Sequence, residues 1–174
     1  RGYLGKAMFV AIDKATAVRM HDKFRVQWAA LLAEHAQRVA TAPPEARAAM
    51  AERLRTGINT AIREAGVGGC LYGIRSAARL ILGDDLPQTA APEEFLRTVP
   101  PRRLLESIKQ PLLKALQCAQ LLEGIDFLGG IHGWTSAAMT EADMDEAVRR
   151  WARALHRVVA EGHLAGKTKV VAAG

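Results

Sequence analysis

The chain has 174 residues, of which 49% are hydrophobic and 24% charged, and its formal net charge is +6 at pH 7. This composition is too apolar for a disordered protein, and no apolar run approaches the roughly 18 residues that a membrane-spanning helix needs. Cys70 and Cys118 are too few for a disulfide framework, so we expect both to be buried as small hydrophobic side chains. The chain begins with Arg and shows no signal peptide, which indicates an internal piece of a longer, cytoplasmic protein.

The positive net charge raises the question of nucleic-acid binding, because Lys and Arg side chains neutralise phosphates. The basic residues are scattered, however, and the four arginines of residues 149–157 follow the acidic residues of 141–146 on one predicted helix. That order suits the helix dipole, which favours acidic side chains at the amino end and basic ones at the carboxyl end. A solvated helix face explains these charges better than a phosphate groove, so nucleic acid is not an expected partner.

The amino-terminal elements are a strand and two helices. Residues 5–12 form a short apolar run that predicts a buried strand, and a long helix from Lys14 is expected to end before Pro43-Pro44. Because a proline pair restricts the residue before it, this is also the best candidate boundary in the chain. A second helix is predicted over residues 45–64, with Gly66 as its C-cap.

The rest of the chain alternates short strands and helices. In order, we predict strands at 70–72 and 77–82, a proline-rich loop at 84–101, a helical turn at 103–108, a helix at 111–122, and strands at 125–128 and 134–139. Thr140 and Asp143 have the spacing of a capping box. It precedes a last helix whose apolar stripe consists of Met144, Ala147, Val148, Trp151, Leu155 and Val158.

This order of elements predicts an α+β fold, in which helices cover one face of a small, largely antiparallel sheet. We expect three parts along the chain: a strand–helix arm at residues 1–41, a domain at residues 42–166 and a flexible tail at residues 167–174. The tail is expected to be frayed because it is small and polar.

Two blocks of sequence are distinctive: AERLRTGINTAIREAGVGGCLYG at residues 51–73 and LEGIDFLGGIHGWTSAAMTEADMDEAVRRWARALHRVVAEGHL at residues 122–164. They resemble the C-terminal part of class III pyridoxal-phosphate (PLP) aminotransferases, nearest to the glutamate-1-semialdehyde aminomutase branch. The resemblance covers residues 42–166. It implies the small domain of a fold-type-I enzyme that uses PLP and forms a homodimer. It also implies that the Schiff-base lysine lies in a large domain that this chain lacks.

The resemblance therefore implies no catalytic and no cofactor-binding residue in this chain, and we expect the isolated chain to bind no PLP and to be inactive. It places Gly129, Gly130, His132 and Gly133 near the mouth of the active site, where His132 would contact a substrate carboxylate. An exposed histidine in a surface turn is the alternative.

Other polar residues have simpler explanations. Arg75 and Arg79 flank a predicted strand and would suit an anion, although solubility of an edge strand explains them as well. Asp84-Asp85 is typical of a turn rather than an acid/base pair. Residues 162–168 are one residue short of a phosphate-binding P-loop and follow a helix where a strand is required. The histidines lack metal-ligand spacing, so no metal site is predicted.

The segment GYLGKAMFVAIDKATAVRMHDKFRVQW, within residues 1–40, resembles instead a strand–helix unit in the motor subunit of type I restriction enzymes. The two resemblances meet near Thr41. They leave two alternatives to an aminotransferase fragment. One is a fragment of an ATP-dependent DNA translocase, which rests on residues 1–40 alone, and the other is an interaction module without catalysis.

Overall fold

The computed structural model describes residues 14–41, 45–88, 91–106, 108–136 and 138–166. The chain separates into two compact units, Arg1–Ala42 and Pro43–Gly174. In the first unit, helix α1 spans Lys14–Thr41, and Phe24 stacks on Trp28 with ring centroids 5.6 Å apart. The predicted long helix is thus confirmed. The predicted strand at residues 5–12 and the predicted flexible tail at residues 167–174 lie outside the described residues.

The described residues of the second unit form eight helices and strands. Its elements are α2 (Ala46–Glu64), β1 (Gly69–Tyr72), β2 (Ala77–Leu82), α3 (Pro92–Thr98), α4 (Pro101–Leu105), α5 (Leu112–Leu122), β3 (His132–Trp134) and α6 (Glu141–Ala160). The three strands form one antiparallel sheet in the order β1-β2-β3. The predicted α+β fold with a small antiparallel sheet is confirmed.

Both faces of the sheet carry buried apolar side chains, because successive residues of a strand point to opposite sides. Leu71 and Leu80 belong to the main core with residues of α2, α5 and α6. Cys70 and Ile81 belong to a smaller cluster that includes Phe95 of α3. The expectation of helices on one face only was therefore wrong, since α3 adds cover on the second face.

The final helix, α6, has the predicted start and the predicted apolar stripe. The Asp143 backbone N–H donates to Thr140 Oγ1 at 3.2 Å, and the Thr140 backbone N–H donates to Asp143 Oδ2 at 2.8 Å, which completes the capping box. Met144, Trp151, Leu155 and Val158 are buried, with Ala147 and Val148 packed against the core. The stripe packs mainly on α2 and α5.

Two predicted strands are corrected. Ile125–Leu128 forms no strand, apart from an isolated bridge between Leu128 and His132, and in the predicted strand at residues 134–139 no described residue beyond Trp134 has strand structure. The third strand is only three residues long, at His132–Trp134. Before it the chain turns sharply, and a strand through this segment would be interrupted by the positive φ of Gly129 and Gly130.

The helical predictions between the strands also need correction. Residues 84–101 are not wholly a loop, since α3 begins at Pro92, and α4 begins at Pro101 rather than at residue 103. Proline in the first helical turn loses no hydrogen bond, because those N–H groups have no partner within the helix. Pro92 and Pro101 therefore mark the starts of helices and not a loop.

The two cysteines differ. Cys70 is buried as predicted, and burial raises the pKa of its thiol to about 12. Cys118 is exposed, so its predicted burial was wrong. The buried positions of α5 are Leu112, Leu116, Ala119 and Gln120, and Cys118 falls on the opposite side of the helix.

A buried amide closes one edge of the sheet. Asn59 of α2 is 4% exposed, its Nδ2 donates to the Leu71 carbonyl at 2.9 Å, and the Leu71 N–H donates to its Oδ1 at 2.7 Å. β1 is an edge strand, and such strands leave peptide groups without partners. The Asn59 side chain supplies both partners at Leu71 and so ties α2 to the sheet.

Trp151→Ala should destabilise the second unit strongly. Trp151 is fully buried in the main core, and truncation of a buried Trp costs about 3–5 kcal/mol of unfolding free energy. Arg149→Ala, on the exposed side of the same helix, should change that free energy by no more than about 0.5 kcal/mol. Urea denaturation followed by circular dichroism measures both. Equal midpoints would show that the stripe of α6 is not buried.

Asn59→Ala should lower the unfolding free energy by about 1–3 kcal/mol, because it leaves two buried peptide groups of Leu71 without partners. Thr56→Ala, on the exposed side of α2, is the matched control. Hydrogen exchange at the Leu71 amide gives a local readout. An amide that exchanges at the same slow rate in Asn59→Ala would contradict the role of this side chain.

Candidate functional site

The predicted site residues lie in one turn and the strand that follows it. Gly129 and Gly130 form the turn, with φ of +63° and +76°, and His132 and Gly133 begin β3. His132 is half-buried within a strand, so the alternative of an exposed histidine in a surface turn does not hold. Their proximity to a substrate remains a prediction. The structure does show what supports their turn.

That support is helix α5, through a buried glutamine. Gln120 is 1% exposed, and its Nε2 donates to the Gly130 carbonyl at 3.1 Å. A Cβ atom on Gly130 would lie 2.5 Å from Gln117 Cγ, so only glycine fits this position without displacing a neighbour. Sequence analysis did not identify Gln120, and a lone glutamine within a helix carries no signal of burial.

The carboxyl end of α5, from which this turn departs, is held by α6. Glu123 accepts from Arg153 Nε at 2.6 Å and from Arg157 Nε at 2.7 Å, and its backbone carbonyl accepts from Arg150 Nη1 at 3.0 Å. The hydrogen bond from Arg153, aided by Arg157, holds the pKa of this carboxyl below its usual range against the opposing effect of burial. The segment that follows α5 and carries the predicted site residues, which we call the site segment, is thereby fixed at its start to α6.

Strand pairing places three polar side chains side by side. Tyr72 of β1 is opposite Arg79 of β2, and Arg79 is opposite His132 of β3. Directly paired residues point to the same face, so these three form a row across the sheet, which we call the polar row. It lies on the face opposite the main core. All three residues are half-buried.

Helix α4 and Trp134 border the polar row. Tyr72 Oη donates to the Leu104 carbonyl at 3.1 Å, and Arg79 Nη2 donates to the Leu105 carbonyl at 3.3 Å. The Trp134 ring stacks on the His132 ring with centroids 6.1 Å apart, and Trp134 is 56% exposed. Burial raises the pKa of the Tyr72 hydroxyl, while the charge of Arg79 opposes that shift.

The sequence offered two explanations for Arg75 and Arg79, an anion site or the solubility of an edge strand, and the position of Arg79 decides between them. β2 is the central strand of the sheet, so solubility of an edge strand does not explain Arg79. Arg75 lies in the turn between β1 and β2, with a φ of 51°, and its carbonyl accepts from Arg55 Nη1 at 3.0 Å. The structure thus separates the two arginines and brings only Arg79 beside His132.

Four exposed apolar residues are connected to the polar row or to the strands that carry it. They are Ile74, Leu105, Leu128 and Trp134, which are 56–76% exposed and are linked through strand pairs or backbone hydrogen bonds. We call this set the apolar rim. Clusters of exposed apolar groups on a folded domain mark sites of interaction.

The other candidates are structural. Asp85 accepts from Arg103 at 2.9 and 3.1 Å, and Asp84 Oδ1 accepts from the Ala165 N–H at 2.9 Å, within a turn as predicted. Among the described residues, no group of three or more His, Cys, Asp or Glu side chains has the arrangement of a metal site. No helix in the described ranges is long and apolar enough to cross a membrane.

Comparison with known proteins gives a structural likeness only. No family model matches the sequence, and no curated protein matches it. A solved transaminase with PLP bound is similar over 70% of this chain and 25% of its own, with a TM-score of 0.51 and 25% identity. An omega-transaminase from Sphaerobacter thermophilus covers 64% of this chain and 23% of its own at TM-score 0.49 and 23% identity.

A third structure, the PLP internal aldimine form of the FumI protein of Sphingopyxis sp. MTA144, covers 70% of this chain and 24% of its own at TM-score 0.49 and 20% identity. This chain therefore spans about a quarter of the length of the solved proteins that it matches. The likeness to the PLP-bound transaminase confirms, at the level of the fold, the predicted resemblance to PLP-dependent aminotransferases. The structural neighbours of this chain are PLP-dependent transaminases.

Proposed function

We propose that this chain is the small C-terminal domain of a class III PLP-dependent aminotransferase, nearest to the glutamate-1-semialdehyde aminomutases. The observation that carries the proposal is the likeness to a PLP-bound transaminase over 70% of this chain, with the three-stranded sheet and its helices. The two sequence blocks at residues 51–73 and 122–164 support the finer assignment. In this proposal the domain corresponds to residues 42–166, and residues 1–41 are a separate arm.

The described residues do not fit a covalent PLP site. A lysine that forms a Schiff base is activated by desolvation or by a neighbouring cation, whereas Lys23, Lys109 and Lys114 are exposed. PLP supplies an electron sink for amino-group transfer when it is bound in such enzymes. We assign no catalytic step to this chain. Its proposed role is to position the substrate side of a site whose lysine lies in another domain.

The surface for that role is the part of the second sheet face that α3 does not cover. It carries the polar row, and we call it the open face of the sheet. Of the predicted substrate-proximal residues Gly129, Gly130, His132 and Gly133, His132 lies on this face beside Arg79, and Gln120 fixes the turn that precedes it. The apolar rim would be covered by the cofactor-binding domain, and a homodimer would follow from the resemblance. The neighbours support a missing domain, because this chain spans only 23–25% of their length.

The complete reading frame that contains this sequence provides the test. We expect its protein to bind PLP as an internal aldimine, visible by absorbance, and borohydride to trap the cofactor on a lysine outside these 174 residues. The isolated chain, treated in the same way, should show no aldimine and no transamination. Transamination with an amino donor completes the assay.

Three results would contradict the proposal. A trapped cofactor that maps to a lysine of this chain would show that the Schiff-base lysine does not lie in another domain. DNA-dependent ATP hydrolysis by the complete protein, without PLP absorbance, would favour the translocase alternative. A complete protein with neither property would favour an interaction module.

A further inference from the structure

We propose that the polar row, with Trp134 at its side, is a binding site for a small anion, a carboxylate or a phosphate group. The site lies on the open face of the sheet and centres on Arg79. The role of this site in an enzyme rests on the proposed function, in which the anion would be part of the substrate or of the cofactor. The binding itself is a property of this chain and is measurable on it alone.

The first argument is geometric. The register places Arg79 directly between Tyr72 and His132, and paired residues in an antiparallel sheet have Cβ atoms about 4.5–5.5 Å apart. The Arg79 and His132 side chains therefore leave the sheet side by side, on the same face. Both groups donate hydrogen bonds, and Trp134 Nε1 next to His132 is a further donor. An anion in this area would meet donors from two adjacent strands.

The second argument is the missing counterion of Arg79. The described part of the chain contains five half-buried arginines, and four of them form an ion pair with a carboxylate, namely Arg38, Arg55, Arg103 and Arg150. Arg79 is the exception. The only described hydrogen bond of its side chain is to the Leu105 carbonyl, at 3.3 Å. A partly desolvated cation without a counterion is costly, and an anionic ligand would remove that cost.

The carboxylate of Glu106, which follows Leu105 in the chain, already pairs with another arginine. Its Oε2 lies 3.6 Å from Arg103 Nη1. Tyr72 donates its hydroxyl proton to Leu104, so its ring serves as a wall and not as a donor. The planar guanidinium of Arg79 keeps further N–H groups for a ligand, and its fork matches the two oxygens of a carboxylate or phosphate.

The experiment is a titration of the isolated chain with acetate and, separately, with inorganic phosphate, at constant ionic strength maintained with sodium chloride. Two-dimensional NMR follows the Arg79 Nε–H and Trp134 Nε1–H signals. We expect a saturable shift at both groups. Arg79→Leu should weaken binding at least about tenfold, because a charge-assisted hydrogen bond is lost. Arg79→Lys, which keeps the charge but not the fork, should bind with intermediate affinity.

Arg102→Leu is the matched control, since it removes the same charge from an exposed position on α4 and should bind like the unchanged chain. Saturation by acetate alone would assign the site to a carboxylate, and tighter binding of phosphate would assign it to a phosphate group. Shifts that do not saturate, or affinities that fall equally in Arg79→Leu and Arg102→Leu, would overturn the inference. PLP binding by the complete protein tests the proposed function separately, so either can fail alone.

Discussion

The alternation of side chains across a three-stranded sheet is the constraint on which the rest of this structure depends. One face of β1 and β2 is entirely apolar and packs on α2, and α5 and α6 complete the same core. The other face is apolar where Cys70 pairs with Ile81, beneath α3, and becomes polar where Tyr72 pairs with Arg79. Cover by α3 therefore stops short of β3. The polar row and the apolar rim are what this incomplete cover leaves accessible.

Buried polar side chains hold the edges of that sheet in place. Asn59 satisfies the outer peptide groups of β1, while Gln120 holds the turn that leads into β3. Glu123 joins the end of α5 to α6 through two arginines. Each of these contacts acts on backbone position and not on a ligand. Together they support a rigid site segment, which suits a surface that must present donors at fixed spacing.

Local signals predicted most of the fold. The stripes of α2 and α6, the capping box and the β1–β2 pair follow from patterns within a few residues. The position of the third strand does not follow from such a local pattern, because three residues between turns acquire strand geometry only by pairing with β2. Proline was misread at Pro92 and Pro101, where it starts helices. Of the candidate site, His132 and the glycines came from resemblance, whereas the neighbourhood of Arg79 and His132 depends on strand register, which no local pattern specifies.

The central claim is that the open face of the sheet, which is accessible in this chain, is a functional surface that another domain covers in the complete protein. Cysteine labelling tests it most directly, with Trp134→Cys in a Cys118→Ser background, compared between the isolated chain and the complete protein. Arg149→Cys, on the exposed side of α6, serves as the reference for general accessibility. Our account predicts that the cysteine at position 134 reacts rapidly in the isolated chain and is protected in the complete protein. Equal labelling at position 134 in both proteins would contradict it.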